Sequence, residues 1–109
     1  MVKHPKYQAM DQARELEIPR AIEEILEDFK DYELYKVEPV RDKKILGPIP
    51  RPKFYIRRKD DEEIIAEFHP NGYSECKNDE FKTEFDKINK RVEKVAQQAL
   101  EDFLSHEKR

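Results

Sequence analysis

The sequence has no tryptophan, one cysteine, only two glycines, and no apolar run longer than a few residues. A lone thiol, Cys76, can close no internal disulfide and build no multi-cysteine zinc site, which fits a reducing compartment. Apolar runs this short fall far below the ~20 residues that a membrane helix needs. The start, Met1-Val2-Lys3-His4-Pro5-Lys6, carries charge with no apolar stretch behind it, so no secretory signal is read there. Charge of one sign is also missing. Twenty-five acids against 22 bases leave a net charge of -3, and a pI near 5.7 gives no overall pull toward nucleic acid. These features together predict a cytoplasmic protein with no membrane segment.

What is present argues for a folded chain. Leu, Ile, Val and Phe number 26 of 109 residues, above the roughly 20% that, with high net charge, marks disorder. The length predicts a single domain over residues 7–109, preceded by a flexible tail over residues 1–6.

Helical spacing dominates both ends. Ile18, Ile22, Ile25 and Phe29 recur at steps of four, three and four, and Pro19 suits a first helical turn because it lacks an N–H. The expectation is a helix from Pro19 to Lys30, with a shorter one before it and a break at Ile18–Pro19. At the other end Phe81, Phe85, Ile88, Val92, Val95 and Ala99 are spaced four, three, four, three and four, with no Gly or Pro from Glu80 onward. Asn78 or Asp79 can cap this helix. At about 26 residues it would be ~39 Å long, more than a small sheet can cover.

The middle reads as antiparallel sheet. Leu34 to Val37 is a short strand, followed by a proline-stiffened connection from Ile45 to Pro52. Phe54 and Ile56, then Ile64, Ala66 and Phe68, alternate with polar or exposed positions on two sides of a polar loop. Pro70-Asn71-Gly72 marks a second turn, after which Tyr73 to Cys76 supplies a short fourth strand. The expected fold is α+β: a helix, a three- or four-stranded antiparallel sheet, and a long C-terminal helix packed on one sheet face.

Charge is distributed unevenly. Residues 36–59 hold nine bases and two acids, whereas residues 11–31 hold eight acids and three bases. A basic segment interleaved with aromatics suits an anionic partner, with Lys43, Lys44, Arg51, Lys53, Tyr55, Arg57, Arg58 and Lys59 as its contact residues. The competing expectation is that these bases neutralise the chain's own acidic helix. Two stretches, Gly47 to Phe54 and Val95 to Leu100, are loosely similar to the loop and final helix of the double-stranded RNA-binding domain. The resemblance covers about a third of the chain and implies RNA binding. That family's phosphate-gripping lysines are replaced here by Asn78-Asp79-Glu80.

Catalytic constellations are sparse. Glu67, His69 and the Glu75-Cys76-Lys77 triplet, with Asp60 and Asp61 nearby, form the one pattern that suits a metal-dependent nuclease. Nothing specifies a cofactor, and no catalytic or metal-ligating set is assigned. The reading is a small non-enzymatic interaction protein that binds another protein or a second copy of itself, with nucleic-acid binding as the alternative. A homodimer or partner interface is expected at Val95, Ala99, Phe103 and Leu104, where the apolar stripe outruns the sheet.

Overall fold

The computed structural model describes residues 5–39 and 50–107. Helix α1 spans Pro5–Leu26, followed by strands β1 (Tyr32–Val37), β2 (Lys53–Arg58), β3 (Ile64–Phe68) and β4 (Ser74–Cys76). A single 3-10 turn at Asp79–Phe81 leads into helix α2 (Lys82–Glu107). The four strands form an antiparallel meander in the order β1-β2-β3-β4. This is the α+β arrangement that the periodicities imply. Among the described residues no helix is long and apolar enough to cross a membrane.

Both helices lie on one face of the sheet. Ile18, Ala21 and Ile22 from α1 meet Phe54, Ile56, Ala66 and Phe68 from the sheet, and Phe85, Ile88 and Val92 from α2, in one buried cluster. Each buried Phe or Ile stabilises the fold by roughly 1.5–3 kcal/mol. Phe68 stacks on Phe85 with ring centroids 5.2 Å apart. At the opposite end of the core Phe29, Tyr32 and Phe81 form an aromatic triangle, with Phe81 edge-on to both partners. The start of α2 is capped as its sequence suggests: the Asn78 side chain accepts the Glu80 backbone N–H at 2.9 Å.

Three local expectations change. The break at Ile18–Pro19 does not occur; α1 is continuous, with Pro19 in its interior. Proline there removes the hydrogen bond to the Glu15 carbonyl, but the two halves of α1 both lie along α2, and that packing outweighs the lost bond. The helix ends at Leu26 and not Lys30, because the chain turns through Asp28 N–H to Ile25 and Phe29 N–H to Leu26. Finally, the register of β2 against β3 shifts between Ile56 and Arg57. The bulge turns Ile65 into the core at 2% exposure, and Ile64 is left half-buried. As for the tail, residues 1–4 lie outside the described residues, and Pro5 and Lys6 already belong to α1.

Candidate functional site

A polar clasp ties the helices to one end of the sheet. Arg14 continues the buried stripe of α1 one turn before Ile18, and it is itself buried. Its Nε and one terminal nitrogen donate to the two Glu93 carboxylate oxygens of α2, at 2.9 and 3.0 Å. The other terminal nitrogen donates to Asp11 at 3.2 Å and to the Pro70 carbonyl at 3.3 Å. Gly72 lies beside this group, where a Cβ would sit in ordinary contact 3.4 Å from the guanidinium carbon, and its φ of +102° is what favours glycine there. One turn further down, Arg91 of α2 donates to Glu17 at 2.7 Å and also bonds Glu24. Arg51 reaches Glu15 at 3.4 Å on the same level of α1.

These contacts mark where the sheet stops. Beyond Arg14 and Glu93 no described strand runs alongside the helices, yet α2 continues from Lys94 to Glu107, about 21 Å at 1.5 Å per residue. The N-terminal turns of α1 run with it. The last fully buried residue of α2 is Ala96. Val95, Ala99, Leu100 and Phe103 are half-buried, and Leu104 is 40% exposed. The stripe that forms the core thus carries on into a two-helix extension that no described part of the sheet covers. Val95 to Leu100 contains no charged residue, in a chain that is 43% charged. The four expected interface residues therefore sit together on this extension.

The expected basic site is dispersed. Lys43 and Lys44 lie outside the described residues. Arg51 is engaged by Glu15. Arg57 donates to Glu33 at 2.9 Å across the β1–β2 pair and lies 4.2 Å above the Tyr35 ring. Tyr55 stands beside Tyr35, ring centroids 6.1 Å apart, on the helix-free sheet face. Arg58 lines a polar hollow with Asp31, Tyr32 and Asp60, while Lys53 and Lys59 are exposed. Two of these five described bases are thus spent on the chain's own carboxylates.

The residues of the nuclease-like pattern are not all brought together: Glu67 and Glu75 lie on the helix-free face, Cys76 packs against the core, and Asp60 and Asp61 lie in the β2–β3 loop. Glu67 and Glu75 are cross-strand partners, and the His69 Nε2 lies 3.9 Å from a Glu67 oxygen. Tyr73 donates its hydroxyl to Glu75 at 3.0 Å. That bond and the Glu75 charge hold the phenol above its usual pKa. Among the described residues no group of three His, Cys, Asp or Glu side chains is placed to hold a metal ion. Cys76 donates its thiol to the Asn78 carbonyl at 3.1 Å.

The clasp itself was not anticipated from the sequence, although its signal is there. Arg14 and Asp11 stand four and seven residues before Ile18, on the same stripe, where a lone surface helix would carry apolar residues. No family model, no curated protein and no solved structure matches this chain.

Proposed function

We propose that this chain is a small cytosolic protein-interaction module whose contact surface is the two-helix extension, and that its occupant is a second copy of the chain. The observation that carries this reading is the continuation of the apolar stripe through Val95, Ala99, Phe103 and Leu104 past the end of the sheet. Interface cores are depleted of charge, and Val95 to Leu100 has none. In a two-fold contact, residues near the axis face their own copies, so any charge there would meet a like charge. An uncharged window removes that repulsion. Two such extensions packed together complete a four-helix arrangement and bury the stripe.

The extent of the surface sets the strength. Two helices each ~10 Å wide over ~21 Å bury on the order of 1,000 Å² between two copies, the low end for a specific interface. Association is therefore expected in the micromolar range and to reverse on dilution. Light scattering across a dilution series tests this: a mass that falls from twice 13.2 kDa toward 13.2 kDa supports it, and a monomer throughout refutes it. Salt-sensitive retention on an immobilised nucleic acid would instead direct attention to Lys53, Arg58 and Lys59.

A further inference from the structure

The direction in which two copies can meet follows from where the sheet sits. Phe85, Ile88 and Val92 of α2 belong to the cluster packed on the strands, and Phe85 stacks on Phe68 of β3. Val95, Ala99 and Phe103 continue that stripe at steps of three, four and four. The extension therefore presents the same side of α2 that, nearer its start, the strands cover. The sheet ends on this side at the β3–β4 turn, where the Pro70 carbonyl accepts from Arg14 beside Glu93. It stands roughly one helix diameter, ~10 Å, from the helix axes. A second pair of helices laid on the extension sits at the same height, because packed helices are about 8–10 Å apart.

Two parallel copies cannot meet this way. With each residue opposite its own copy, the sheet of one chain would have to fill the space taken by the helices of the other over Phe85 to Val92. Turning one copy end for end removes the clash. The two sheets then lie at opposite ends of the pair, and each extension continues the layer of the other chain's sheet. Side-chain sizes agree with this direction. Val95, Ala99 and Phe103 stand four apart and so form one ridge along α2. Reversed about Ala99, the ridge sets Val95 against the larger Phe103 of the second copy and lets the two small Ala99 positions approach closely. A parallel pair would set Phe103 on Phe103 and hold the Val95 pair apart.

We infer that the second copy docks antiparallel, with the two-fold axis beside Ala99 and the last turn of each α2 seated against the β3–β4 turn of the other chain. The inference rests on the self-association proposed above and adds a second contact surface to it. Ser105 lies six residues past Ala99, so it falls at the level of the residue six before it, Glu93. That is the level of the clasp, beside Asn71 and Gly72, both exposed.

The test mixes two forms of the full chain at concentrations well above the micromolar range. Both carry Cys76→Ser, which keeps a donor for the Asn78 carbonyl. One is isotopically labelled. The other is unlabelled and bears a nitroxide on Ser105→Cys, an exposed position; unchanged melting curves verify that both fold. Only contacts between copies can then broaden the amide resonances of the labelled chain. The expected result is a loss of intensity that is strongest at Asn71 and Gly72 and returns when the nitroxide is reduced. A loss that is strongest at Phe103 to Ser105 overturns antiparallel docking and leaves self-association standing. A mixture that is dimeric by light scattering yet shows no loss at Asn71 and Gly72 also overturns it. A monomeric mass with no loss anywhere overturns the proposed function together with this inference.

Discussion

Replacing Arg14 by Met tests the clasp, because methionine keeps much of the aliphatic stem and removes the guanidinium. Four hydrogen bonds disappear at once. The two to Glu93 are charge-assisted, but that carboxylate is about half exposed and rehydrates, so their loss costs about 1 kcal/mol. The Pro70 carbonyl is in a buried residue, and leaving it without a donor costs a further ~1–3 kcal/mol. Asp11, also buried, loses the cation that faces it. The expected destabilisation is roughly 2–4 kcal/mol, a large part of a typical ~5–15 kcal/mol. Urea denaturation followed by circular dichroism measures it. Glu93→Gln, which keeps a neutral acceptor at the half-exposed end, should cost no more than ~1 kcal/mol. If Arg14→Met costs as little as Glu93→Gln, the buried half of the clasp contributes nothing and the reasoning fails.

Other expectations follow from single features. Pro19→Ala restores an N–H inside α1 and should raise stability by about 1–2 kcal/mol, the helix gain reduced by a more flexible unfolded chain; a loss of stability would show that the proline ring packs specifically. Glu62 sits at φ 59° in the β2–β3 loop, so Glu62→Gly should stabilise by up to ~1 kcal/mol, read from the shift of the thermal midpoint. The Tyr73 phenol, held protonated by Glu75, should ionise above the ordinary value of 10.0 in an ultraviolet absorbance titration, and Glu75→Gln should bring it back. Any stability from this bond is present below the unfolded pKa and is lost as pH rises through the raised folded one.

Much of the fold is legible because each element announces itself locally. The four-three spacing from Phe81, the alternation through Phe54 and Ile56, the Asn78 cap and the Pro70-Asn71-Gly72 turn all depend on residues close in sequence. The departures come from contacts between distant residues. Pro19 would end an isolated helix, and only the long contact with α2 keeps α1 continuous. The bulge that exchanges Ile64 for Ile65 is a matter of strand register, which alternation alone does not encode. The basic segment shows the same limit: which acid meets Arg51 or Arg57 depends on how α1 and β1 are placed. In contrast, the excess of apolar stripe in α2 is visible from its length alone, because no short strand can match it.

The central claim is that this excess stripe is an intermolecular surface. Sedimentation equilibrium on the double variant Phe103→Asp with Leu104→Asp tests it most directly, read beside its denaturation midpoint. At concentrations well above the micromolar range the wild type should have a mass near twice 13.2 kDa. The variant should be a monomer that keeps a cooperative transition with a modestly lowered midpoint, since Leu104 is 40% exposed and Phe103 is only half-buried. A wild type and variant of the same monomeric mass, with the variant strongly destabilised, would contradict it and place Phe103 and Leu104 in the protein's own core.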